Sequence, residues 1–153
     1  MALFNFRKKQ KVVPIVDDFE LLHHHGLEYE KVMDQYFETS MQIDNLASVL
    51  YNLKIKEGPR MDELIALCYK HIEEWKKAKS MWTKFGQPLP AVCNGYKRLA
   101  IIYDQQKKYN ECLKVCIEAI DEGLHKGNYS ARIARMLKKL EIKDISPYEK
   151  YLF

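Results

Sequence analysis

The segment from Pro59 to Gly123 can be laid over itself with a shift of 34 residues. Ile65, Ala66 and Tyr69 then fall on Leu99, Ala100 and Tyr103, and Ala78 and Trp82 fall on Cys112 and Cys116. A period of that length pairs a small residue with an aliphatic one, places an aromatic three residues on, and repeats a small residue about nine further along. It marks closely packed antiparallel helices, with the small side chains where the backbones approach.

Composition agrees. The 153 residues hold only 6 Gly and 5 Pro, too few turn residues for a sheet protein, so the chain is expected to be all-α. That length buries about two-thirds of the unfolded surface, so no disulfide support is needed. Cys68, Cys93, Cys112 and Cys116 lie in or beside amphipathic helical patterns and read as packed, reduced thiols. Residues 1 to 16 lack the apolar core and cleavage site of a signal peptide, and no apolar run approaches the length of a membrane span, so the expected location is cytoplasmic.

The distribution of charge says more than its sum of +4. Arg7, Lys8, Lys9 and Lys11 account for the whole excess. Residues 1 to 16, with Leu3, Phe4 and Phe6 ahead of the bases and Pro14 behind them, read as a basic N-terminal tail. Beyond it, Asp17 to Leu53 carries eight acids against Lys31, whereas Lys126 to Lys143 carries six bases against Glu141. One end of the molecule is acidic and the other basic.

Seven helices are expected across residues 17 to 143. Asp17 or Asp18 caps the first, which runs to Phe37 with Gly26 weakening its middle. Thr39 and Gln42 have capping-box spacing and open a second, stopped by Gly58-Pro59. Pro59 opens a third through Ile72, and a turn near Glu74 leads to a fourth that carries Trp75 to Phe85 and ends at Gly86. Tyr96 to Tyr103, Glu111 to Asp121 and Ser130 to about Lys143 form the remaining three. The aromatic tail 144–153 is expected to cover the apolar edge of the last helix, or else to fill a groove in cis or in trans.

The pattern Tyr96-x2-Leu99-Ala100-x2-Tyr103, with Tyr109, Cys112, Ala119 and Ile120 behind it, resembles the tetratricopeptide repeat family. Ile65-Ala66-x2-Tyr69, Ala78, Trp82 and Pro90 resemble the preceding copy, so that 59–92 and 93–126 are the best repeats. Phe85 stands where the family usually has Ala, Leu124 where it usually has Pro, and Cys116 where an aromatic is common. The resemblance implies a right-handed α-α superhelix. Its concave groove, lined by the first helix of each hairpin, would bind an extended or helical peptide. The groove positions it implies are Arg60, Glu63, Leu67, Lys70 and His71, then Asn94, Lys97, Ile101 and Asp104, then Arg135 and Lys138. The family's carboxylate clamp is incomplete, since Leu67 and Ile101 replace expected polar residues.

Catalytic chemistry has no visible home. His23, His24 and His25 point about 100° apart on a helix and cannot all hold one metal ion, and Cys68 with His71 reads as part of the core. P-loop, dinucleotide, G-x-S-x-G and H-E-x-x-H patterns are absent from the sequence. The expected function is therefore non-catalytic: an adaptor without cofactor or metal that binds a protein or acidic peptide in its groove. Self-association of the acidic end with the basic end is an alternative. Nucleic acid, contacted through Arg132, Arg135, Lys138 and Lys139 beside Tyr129, is a weaker one, and a membrane contact through the N-terminal tail weaker still.

Overall fold

A computed structural model of the chain describes residues 15–153, and their side chains from residue 26 onward. The tail readings on residues 1–14 and the side chains of the histidine cluster at 23–25 fall outside what it describes. The described residues are all-helical and contain no strand. They form α1 (Ile15–Asn52), α2 (Pro59–Lys84), α3 (Asn94–Gln105), α4 (Tyr109–Asp121), α5 (Ser130–Lys139) and the short α6 (Glu149–Leu152), with single 3-10 turns at Lys126–Asn128 and Ser146–Tyr148.

The first four expected helices are two. α1 is one helix of 38 residues, about 57 Å long at 1.5 Å per residue, and it passes straight through Thr39. Thr39 is buried mid-helix and caps nothing. Val32, Tyr36, Thr39 and Ile43 are buried at steps of three and four residues, and Leu50 follows two turns on, so one inward stripe runs past the expected break. α2 behaves alike: Met61, Leu64, Cys68, Ile72, Trp75, Ala78 and Trp82 form one buried stripe, and the turn expected near Glu74 does not occur. Neither Gly nor Pro falls between Pro59 and Gly86, which leaves nothing to stop the helix.

The 34-residue period therefore lays a single helix over the α3–α4 hairpin. Its two copies sit in unlike surroundings: Leu99, Ala100 and Tyr103 are buried, whereas Ala66 is exposed and Tyr69 is 47% exposed. Tyr69 and Tyr103 meet each other instead, sharing a hydroxyl hydrogen bond of 2.8 Å between α2 and α3.

Packing is sequential, α1 on α2, α2 on α3, α3 on α4 and α4 on α5, and side-chain bridges sort the helices into two layers. In one layer, Asn94 of α3 donates to Ser40 O and Asp44 Oδ1 of α1, and Asp104 of α3 accepts from Arg132 and Arg135 of α5. In the other, Lys76 and Lys79 of α2 pair with Glu118 and Glu122 of α4 at 3.5 and 3.6 Å. Layer one is α1, α3 and α5, and layer two is α2 and α4. The C-terminal tail continues layer two: Tyr151 is buried, its hydroxyl donates to Asp121 Oδ1 at 2.9 Å, and Ser130 Oγ donates to its carbonyl.

Aromatic packing joins the two long helices. The Tyr36 ring stacks on the His71 imidazole at 4.3 Å and meets Trp82 edge-on at 5.4 Å, while Tyr29 meets Phe85 edge-on. α2 and α3 pack closely at Gly95, where an added Cβ would stand 2.6 Å from the carbonyl oxygen of Cys68. The helices stop by one device. After α1 to α5, a residue with positive φ (Lys54, Gly86, Lys107, Gly123 and Glu141) and its successor donate back to the last turn. The four cysteines are free and buried.

Candidate functional site

The open face of layer one carries a groove. Along α1, Phe37, Asp44 and Tyr51 recur at seven-residue intervals and are exposed. Asp44 fixes the position of that stripe, because its carboxylate accepts from Asn94 at 2.9 Å and pairs with Arg98 at 3.4 Å, both on α3. α3 contributes Lys97, exposed, and Ile101, half-buried.

Ile101 divides two hollows. On its α1 side a cleft of about 940 Å³ is floored by Leu50, Met61, Leu64 and Ile102 and edged by Tyr51, Lys54, Lys56 and Arg98. On its α5 side a smaller hollow of about 310 Å³ lies between Lys97 and Arg132, with Val92, Ala100, Asn128 and Tyr129 around it. Burial pushes the Tyr129 phenol well above its ordinary value, so its hydroxyl stays protonated.

Around Ile101 the face holds an excess of cation. Lys97, Arg98, Arg132 and Arg135 stand against two acids, Asp44 and Asp104, each already engaged by arginine. Arg132 and Arg135 are i, i+3 neighbours on α5 and both donate to the same oxygen of Asp104, which holds their guanidiniums in place and leaves one charge uncompensated. Such a surface can neutralise carboxylates and seat apolar side chains. No group of three or more His, Cys, Asp or Glu converges on a common centre among the described residues.

The positions implied by the family resemblance separate by helix. Asn94, Lys97, Ile101, Asp104 and Arg135 come together on this face. Those on α2 do not, because α2 belongs to the other layer. Arg60 and Glu63 form an exposed ion pair with each other at the start of α2. Leu67 packs on the core, and Lys70 is exposed on the α2 stripe that continues to Glu74 and Lys77 beside Leu27 and Lys31 of α1. His71 is completely buried and stacked on Tyr36, with its pKa lowered to about 4 by burial, and it faces no groove. Lys138 lies beyond the face, at the end of the stack.

Three residues of the face, Phe37, Tyr51 and Arg98, were not singled out from the sequence, and Arg132 was singled out only for the nucleic-acid alternative. Arg98 falls four residues after Asn94, and Arg132 three before Arg135, so helical spacing from expected positions would have found both. Phe37 and Tyr51 carry the signal of large apolar residues off the buried stripe.

Comparison with protein-family models, curated proteins and solved structures finds no match to this chain.

Proposed function

We propose that the protein is a non-catalytic binding module whose α1–α3–α5 face takes an acidic peptide segment of a partner protein. The observation that carries this reading is the surplus of cation around Ile101: Lys97, Arg98, Arg132 and Arg135 outnumber Asp44 and Asp104, beside two apolar-floored hollows. A peptide with carboxylates and one or two apolar anchors is complementary to that surface, and long-range attraction speeds its capture. The alternation of α1–α2, α3–α4 and α5–tail between two layers supports a tetratricopeptide-like array, with α1 as the first helix of the first hairpin. Nucleic acid is less well matched, since Tyr129 is buried, Lys138 lies in the groove at the end of the stack and Lys139 lies 5.6 Å over the Tyr109 ring.

Selection from a displayed random-peptide library tests the proposal, with a Lys97→Glu, Arg135→Glu double variant for counter-selection. The expected peptides are rich in Asp and Glu, lose affinity as salt rises and fail to bind the double variant. Enrichment of peptides without acids, or equal binding to the variant, overturns it.

A further inference from the structure

The end of the stack beyond α5 is open. A groove of about 610 Å³ is floored by Ala131 and Ala134 of α5 and walled by Ile145, Leu152 and Phe153 of the tail, and Phe153 is 83% exposed. The tail therefore covers only part of the apolar edge it packs against. Alanines at i, i+3 leave room for another helix to approach. Lys138 and Lys143 line this groove against the single acid Glu141.

Layer one runs α1, α3, α5, so a next member of the layer would lie on Ala131 and Ala134. The first member, α1, carries an exposed stripe of its own. Leu27, Asp34, Glu38, Met41 and Val49 fall within one stripe on the side of α1 turned away from α2. Leu27, Met41 and Val49 are 54%, 65% and 46% exposed. The side chains described on α1 carry Glu28, Glu30, Asp34, Glu38 and Asp44 against Lys31. The two surfaces are thus each apolar and of opposite charge.

We propose that the α5 end groove receives the exposed α1 stripe of a second copy of this chain. Because the two surfaces differ, the contact is heterologous and does not close on itself, and successive copies add to a growing row. It uses neither Lys97 nor Ile101, and on α1 it adjoins the layer-one face at Met41, one turn from Phe37.

Two half-blocked variants test it. Met41→Lys spoils the α1 stripe and leaves the groove intact, while Ala134→Arg fills the groove and leaves α1 intact. Both substitutions are at exposed helical positions, and circular dichroism verifies that each retains its helix. By sedimentation velocity from about 1 μM to about 1 mM, the wild type is expected to grow in mass with concentration and to shrink in raised salt. Each variant alone is expected to remain a monomer, and their equimolar mixture to form dimers and nothing larger. Should either variant lose helix, charge exchange replaces the pair: Lys138→Glu, Lys143→Glu alone dissociates, and mixing it with Asp34→Lys, Glu38→Lys restores association. A wild type monomeric throughout, a half-blocked variant that still self-associates, or a mixture that stays monomeric overturns the proposal.

Discussion

Replacing Gly95 by alanine tests the packing that places α3, and with it the groove. The new Cβ would stand 2.6 Å from Cys68 O, 3.1 Å from Ile72 Cγ1 and 3.3 Å from His71 Cβ. The first of these is a helical carbonyl and cannot move without the whole of α2. Restoring ordinary contact, 3.4 Å or more, requires the helices to part locally by about 0.8 Å. Overpacking of that kind costs about 1–3 kcal/mol. Alanine returns up to about 1 kcal/mol of helix propensity, less in a first turn. The net expectation is a loss of about 1–2 kcal/mol, seen as a fall of about 3–7 °C in Tm for a domain of this size. Urea titration followed by circular dichroism measures it. Gly26→Ala is the matched control, because nothing lies within 4 Å of its added Cβ inside α1, and it is expected to stabilise by up to about 1 kcal/mol. If Gly95→Ala proves as stable as the wild type, α2 and α3 do not cross at Cys68 and the layer arrangement is wrong.

Other expectations follow from single contacts. His71 titrates near 4 when folded because burial disfavours its charge, and near 6.5 when unfolded, so the unfolded chain binds the extra proton between those values. Its contribution is complete above pH 6.5 and is lost as pH falls towards 4, by up to about 3 kcal/mol; His71→Phe should flatten stability over that window. Asp104→Ala leaves Arg132 and Arg135 side by side without their acceptor and should cost about 1–2 kcal/mol in urea melts. Lys107 has φ 60° after α3, so Lys107→Gly should relieve left-handed strain and gain about 0.5–1 kcal/mol, provided no side-chain contact is lost. All four thiols are buried, so an aromatic disulfide reagent should react with them only as fast as the chain unfolds.

How far the sequence could be read depended on whether a signal was local. The α3–α4 hairpin was legible because Lys107 and Gly123 end short helices whose inward residues, Tyr96, Leu99, Ala100, Cys112, Cys116 and Ala119, repeat at helical steps. α1 and α2 were divided because Thr39 mimics a capping box and the 34-residue overlay demands a turn near Glu74. The continuous stripes through Thr39 and Trp75, with no Gly or Pro to break them, were the stronger signal. The division of α2 displaces the expected groove. With α2 taken as the first helix of a hairpin, Arg60, Glu63, Leu67, Lys70 and His71 were assigned to the open face; as the second helix, α2 turns them elsewhere. The positions on α3 and Arg135 on α5 kept their place because the register there was right. The convergence of Arg132 and Arg135 on Asp104 spans about 30 residues and depends on two helices packing side by side, which residue spacing alone does not encode.

Backbone amide chemical-shift mapping is the most direct measurement of the central claim. Isotopically labelled protein is titrated with the strongest acidic peptide from the library selection. The expected perturbations cluster on Lys97, Arg98, Ile101, Arg132 and Arg135 and fade in raised salt. Perturbations centred on Glu63, Lys70 and Lys77 of α2, or none at saturating peptide, contradict it.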